Sequence, residues 1–255
     1  MQIKKLFIAL GIVLPLHMQG QNFLIKDAPE VIESYVNQFN REDNELYKQD
    51  IPNCGASDFL RKNIPFFECP DKELEKTYYF RWWTYRKHIK KTPDGFVITE
   101  FLPDVPWAGK YNTISCAANH HFYEGRWLRN AEILSDYASF WFSGSGNPRL
   151  YSFGAADAIY NYYLIHNDKM LLADLYPKLK DNFAKWEEEK RDSTGMFWQV
   201  DDRDGMEMSV SGHLSEGGRG YRPTINSYMY GEAVALAKIA SIVDRDMEAR
   251  TSQKT

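Results

Sequence analysis

The chain has 255 residues, a formal net charge of −4 and three cysteines. Its mild acidity argues against a nucleic-acid partner, which needs clustered Lys and Arg. Cys54, Cys69 and Cys116 make no disulfide framework, although Cys54 and Cys69 could pair in an oxidising compartment, and their spacing fits no paired-cysteine metal site.

Residues 1–21 read as an export signal, with Lys4 and Lys5 ahead of an apolar run from Leu6 to Met18 and a small Gly20 before a polar stretch. The run is short for a bilayer span, and Pro15 and His17 weaken that reading further. An uncleaved anchor is the alternative. No later stretch is long enough to span a membrane. Residues 22–70 read as a lead-in segment.

From about Asp71 the pattern is all-α, in helical pairs. The stretch 72–91 starts after Pro70-Asp71 with acids in its first turn and ends in basic residues before the turn Thr92-Pro93-Asp94-Gly95. In 126–142, Trp127, Ala131, Leu134, Ala138 and Trp141 step by four and three, one face of a helix. Residues 152–166 repeat that spacing at Ala155, Ile159 and Tyr162. Residues 168–190 hold one or two helices, with Pro177 opening the second. Tyr230, Ala233, Ala237 and Ala240 mark a last helix within 226–246. Only "GFVIT" and "GMFWQV" look strand-like.

The loops carry the candidate chemistry. "WQVDDRDGMEMS", 198–209, gathers Asp201, Asp202, Asp204 and Glu207 around Gly205. A helix–loop–helix calcium site needs Gly sixth and Glu twelfth; that register puts Val200 first and Ser211 last, so it fails. Three readings stay open: a solvated acidic turn, a carboxylate pair for glycoside cleavage, and a polar loop that binds sugar hydroxyls without catalysis. The aromatic fraction of 15% supplies core bulk first, yet Tyr and Trp faces also suit the C–H surfaces of sugars. "NHHFYEGRW" sets His120 and Glu124 four apart, too few ligands for zinc. A phosphate-cradling Gly loop and a Gly-x-Ser-x-Gly elbow are both missing.

From about Tyr78 to Ala240 the chain resembles exported (α/α)6-barrel glycoside hydrolases, those of family 63 and its mannosylglycerate-hydrolase-like branch, with trehalases as cousins. Three segments carry the likeness. "YSFGAADAIYNYYLIHNDKMLLADLYPKLKDNFAKWEEEKRDSTGMFW" is similar to the family's paired helices, "RDGMEMS" to its Glu-Ser-Gly-Trp-Asp-Phe-Ser type loop, and "RPTINSYMYGEAVALAKIA" to its Pro-Val-Asp-Leu-Asn helix. Gly205 and Ser209 match the loop, and Glu207 falls where the family's catalytic Asp stands. Arg203 replaces the family's first Glu, and "YNT" at 111–113 puts Asn112 where a substrate-contacting Asp is expected.

The resemblance implies a partial (α/α)6 toroid over 71–255 that cleaves an α-linked sugar with inversion. Glu207 would be general acid, with Asp204 beside it. Asp202, Arg81, Trp82, Trp107, Asn112, Trp198 and Asn226 would contact an oligosaccharide or glycoside; for the three Trp and Arg81, barrel packing is an equal alternative. No cofactor is implied; calcium is allowed but not indicated. Twelve helices with loops need roughly 300 residues or more, so the base is expected beyond Thr255. The competing reading is a non-catalytic sugar-binding remnant.

Overall fold

The computed structural model describes residues 28–205 and 218–252. Eight helices occur among them: α1 Ala28–Arg41, α2 Ala56–Asn63, α3 Lys72–His88, α4 Ser115–Gly125, α5 Glu132–Phe142, α6 Ala155–His166, α7 Lys169–Lys190 and α8 Pro223–Ser252. Two short antiparallel pairs join them, β1 Ile89–Thr92 with β2 Gly95–Ile98, and β3 Trp198–Gln199 with β4 Gly220–Tyr221. The all-α reading therefore holds. Helix α4 packs on α6, and α8 lies against both α6 and α7.

Helices α1 and α2 lie within the segment read as a lead-in. Ile32, Val36, Phe39 and Leu60 are buried in the same core as Tyr79 and Trp83. Trp83 Nε1 donates to Asn40 Oδ1 at 2.8 Å. Arg86 is fully buried in α3 and donates to the Gln49 side chain at 2.7 Å and to the Ile51 carbonyl at 2.5 Å, so it ties residues 49–53 down. A buried guanidinium needs such acceptors, because an unpaired buried charge is costly.

Helix α3 starts as expected, with Asp71 accepting from the Glu73 and Leu74 N–H groups at 3.0 and 3.2 Å. It ends at His88, three residues short of the expected boundary. Ile89 instead pairs with Ile98 across the hairpin, and Ile89, Val97 and Ile98 are buried together. Burial of those apolar side chains outweighs the helical preference of Lys90 and Lys91. Gly95 sits at φ +95° at the turn, against the Asp136 carboxyl, a site only glycine fits.

Three further expectations need correction. The 126–142 helix begins at Glu132, not at Trp127, which is exposed beside the Arg126 guanidinium. Gly125, packed under Tyr85, ends α4, and the chain turns before α5. Residues 169–190 form one helix, the first of the two alternatives, so Pro177 lies inside it and opens no second helix. Leu172, Leu175, Leu179, Asn182 and Trp186 form a continuous buried stripe across the proline, and that packing outweighs the lost backbone bond. In α8 the helix is right and the face is wrong. Tyr230, Ala233 and Ala237 are exposed, whereas Ile225, Met229, Glu232, Ala235, Ile239 and Val243 are buried. A glutamate in the buried stripe disguised the true periodicity.

Candidate functional site

The acidic stretch folds into a clamp. After β3 the chain makes a 3-10 turn over Asp202–Asp204 and leaves through Gly205 at φ +67°. Asp201 and Asp204 are buried, and both turn toward Arg222, which is also buried. Arg222 Nε donates to Asp204 Oδ2 at 2.9 Å, and its Nη1 donates to Asp201 Oδ1. Ser152 Oγ donates to Asp204 Oδ1 at 2.5 Å, and the Ser152 N–H donates to the Arg203 carbonyl at 2.8 Å. One planar guanidinium thus bridges two carboxylates, a geometry lysine could not reproduce.

The clamp has a topological consequence. Asp204 precedes residues 206–217 and Arg222 follows them. Strand pairing of Trp198 with Tyr221 and of Gln199 with Gly220 adds a second staple. The base of the loop that carries Glu207 is therefore fixed twice. Glu207 and Ser209 lie outside the described residues, as do residues 1–21.

Phenols and carboxylates surround the clamp. Burial raises the Tyr228 hydroxyl above its ordinary value, and the nearby Asp204 carboxylate adds to the effect. The Tyr151 hydroxyl is also raised, first by burial and then by Cys116, Asp202 and Glu100, with Arg203 opposing. Glu100 and Asp202 are both exposed.

A second carboxyl pair lies between α4, α6 and α8. Glu232 is fully buried. Its Oε1 accepts from the backbone N–H groups of Ala156 at 2.5 Å and Asp157 at 3.1 Å, at the start of α6, while Oε2 has no hydrogen-bond partner among the described residues. Burial pushes its acid up to about 8 despite those two donors, and the neighbouring Asp157 carboxylate contributes in the same direction. Asp157 itself accepts from the Tyr123 hydroxyl and from Asn161.

The expected sugar contacts divide. Asp202 is exposed, 3.9 Å from the Arg203 guanidinium. Asp204 is spent on Arg222 and Ser152, so it is a positioning group rather than a free acid. Trp82 is core, at 4% exposure. Asn112 is buried in a left-handed conformation, and its side chain is saturated: it donates to the Phe101 and Pro103 carbonyls at 2.8 and 2.9 Å and accepts from Val105 N–H at 3.0 Å. Asn226 is likewise consumed, pairing with both backbone groups of Phe197 at 3.0 and 2.8 Å. Trp107 is exposed and packs edge-on to Phe101. Arg81 is exposed and paired with Glu124 at 2.5 Å, which removes Glu124 from any site with His120. Both line a small cleft of about 160 Å³ with His121, Thr84 and Glu100. Trp198 is half-buried, with cations over its ring. No disulfide joins Cys54, Cys69 and Cys116.

Arg222, Ser152, Glu100 and Glu232 escaped sequence reasoning. Arg222 and Ser152 reach partners 18 to 52 positions away, so no local spacing marks them.

A model of the mannosylglycerate hydrolase MGH1-like glycoside hydrolase domain matches residues 110–255. The chain belongs to that family. The match includes the clamp, the Glu207 loop and α8. A solved structure described as "Sialidase" is 39% identical, with a TM-score of 0.77. The likeness covers 88% of this chain and 21% of that one. No curated protein matches. The helical pairs, set beside that structure, form part of an all-α toroid of the glycosidase kind, as expected for an MGH1-like domain.

Proposed function

We propose that the protein is an exported inverting glycoside hydrolase acting on an α-linked sugar, with Glu207 as its general acid. The observation that supports this reading best is the double staple under the Glu207 loop, in a chain of the MGH1-like family. A general acid works only if it is held within hydrogen-bond reach of the leaving oxygen. Asp201, Arg222, Asp204 and Ser152 tie together the chain on either side of residues 206–217, which would anchor the ends of the Glu207 loop while Glu207 supplies the proton.

Glu207 would protonate the glycosidic oxygen while a second carboxylate, about 6.5–9.5 Å away, activates water on the opposite face of the ring. Asp202, exposed in the turn between Asp201 and Asp204, would meet sugar hydroxyls. Export rests on the apolar leader in residues 1–21.

The test uses aryl α-mannoside and α-glucoside together with mannosylglycerate. Proton NMR of the first product formed should find the β-anomer. An α-anomer would overturn inversion, and undiminished turnover by Glu207→Gln would remove Glu207 from the acid role.

A further inference from the structure

Helix α6 begins without a cap of its own. Gly154 stands at its N-cap position and has no side chain to offer, so the first N–H groups of the helix lack a local acceptor. Ala155 and Ala156 are fully buried, and buried N–H groups need a partner. The partner comes from another helix. Glu232, fully buried in α8, places Oε1 2.5 Å from the Ala156 nitrogen and 3.1 Å from the Asp157 nitrogen, across 76 and 75 positions.

The same short segment also holds the clamp. Just ahead of the helix, Ser152 Oγ donates to Asp204 Oδ1 at 2.5 Å, and the Ser152 N–H donates to the Arg203 carbonyl at 2.8 Å. Asp204 accepts in turn from Arg222 Nε at 2.9 Å, and Arg222 immediately precedes α8. Residues 152–157 are thus gripped from α8 at both ends, through Arg222 and Asp204 at one and directly by Glu232 at the other. Helix α4 holds the middle. Asn119 Oδ1 accepts from the Gly154 N–H at 3.0 Å, and its Nδ2 lies 2.9 Å from the place a Cβ on Gly154 would take, so a side chain there would push Asn119 away. Ser152 therefore cannot shift on Asp204 without moving the start of α6, and Glu232 fixes that start.

We infer that Glu232 is a positioning residue for the general acid: by capping α6 from α8 it holds Ser152 on Asp204, at the base of the segment that carries Glu207. The inference rests on the hydrolase reading for its effect on turnover, whereas the link from Glu232 to Ser152 rests on the hydrogen bonds. Glu232 touches no reacting atom in this role. Burial pushes its acid up to about 8, so at neutral pH Glu232→Gln keeps both the uncharged state and the acceptor oxygen. Glu232→Leu removes the acceptor.

The experiment has two readouts on the full-length protein. Backbone amide exchange followed by NMR reports the link. In Glu232→Leu the Ala156 and Asp157 amides should exchange about a hundredfold faster, and the Ser152 amide should accelerate by about tenfold or more beyond any change at Leu179 in the buried stripe of α7. Glu232→Gln should reverse these changes. Acceleration at Ser152 no greater than that at Leu179 overturns the inference. Should Glu232→Leu fail to fold, Ser152→Ala reads the link from its other end. Ala156 and Asp157 should then exchange about threefold or more faster than the same reference, and no change there overturns it.

Turnover reports the consequence. On mannosylglycerate, Glu232→Leu should lower kcat by about tenfold or more with KM held within about twofold. Glu232→Gln should recover that rate. On α-mannosyl fluoride, whose fluoride departs without a proton, the loss in Glu232→Leu should be no more than about threefold. Equal losses on both substrates overturn the positioning role alone. A Glu207→Gln control with no loss on mannosylglycerate overturns the general-acid reading and the positioning role together, and the exchange data then decide the link by themselves.

Discussion

Arg222→Met removes the cation from the clamp and keeps most of the side-chain volume. The side chains of Asp201 and Asp204 are 5% and 0% exposed beside Arg222, so the change leaves two carboxylates buried together. Removing one partner of a buried ion pair costs about 3–5 kcal/mol. A domain of this size has about 5–15 kcal/mol of stability in all, and each kcal/mol lowers the midpoint by about 2–4 °C. The variant should therefore melt about 6–20 °C below the parent. Asp204→Asn should cost less, because it keeps an acceptor for Ser152 and leaves Arg222 with Asp201. The double change Arg222→Met with Asp204→Asn should recover part of the loss, since the two sites share one network. Thermal unfolding followed by circular dichroism measures all three. A loss under about 1 kcal/mol for Arg222→Met, a value typical of exposed pairs, would refute the clamp.

Other outcomes follow from the same geometry. Glu232 holds its proton up to about pH 8 in the folded chain, against an ordinary value of 4.5. Both states are protonated below that lower value; between the two the unfolded chain releases the proton and the folded chain keeps it. Stability should fall as pH rises across that window and level off above it, by an amount on the order of 3–5 kcal/mol. Glu232→Gln keeps an acceptor for the start of α6 and should flatten that slope in chemical denaturation. An unchanged slope would assign it to other groups. The corrected face of α8 predicts that Ile239→Ala, at a fully buried site, costs about 2–5 kcal/mol. Tyr230→Ala, at 75% exposure, should stay within about 0.5 kcal/mol. Equal effects would mean the face is assigned wrongly. Gly95→Ala should destabilise by about 1–3 kcal/mol, because it combines a positive φ with a clash on Asp136; a neutral result in urea denaturation would discount the turn.

The sequence was most readable where local rules act alone. The Asp71 cap, the turn at Pro93-Asp94-Gly95 and the helical spacing of α6 depend on neighbours within four residues. Reading failed where distant packing decided the matter. Pro177 looked like a helix start because a backbone rule was weighed without the buried leucine stripe that crosses it. The small side chains of α8 suggested a core face, although the helix buries a glutamate on the opposite side.

The site followed the same division. The concentration of acids around Gly205 was visible, but their roles were not. Asp201 and Asp204 are consumed by Arg222, and nothing within a few positions of either aspartate announces that arginine. Asn112 was read as a sugar ligand from its place where the family carries a substrate-contacting Asp, and Asn226 lies in the segment likened to the family's Pro-Val-Asp-Leu-Asn helix. Both are instead fully engaged with backbone groups, the equally common use of a buried amide. The cations over the Trp198 ring were not legible either, because Lys190 and Arg219 stand 8 and 21 positions from it.

The most direct test of the general-acid assignment compares leaving groups in Glu207→Gln. Fluoride departs from a glycosyl fluoride without a proton, whereas the alkoxide leaving group of a disaccharide or of mannosylglycerate needs one. The account predicts a loss of about 10²–10⁴-fold in kcat on an α-linked disaccharide or mannosylglycerate, with turnover of the matching α-glycosyl fluoride nearly retained. Equal losses on both substrates, or no loss on either, would contradict it.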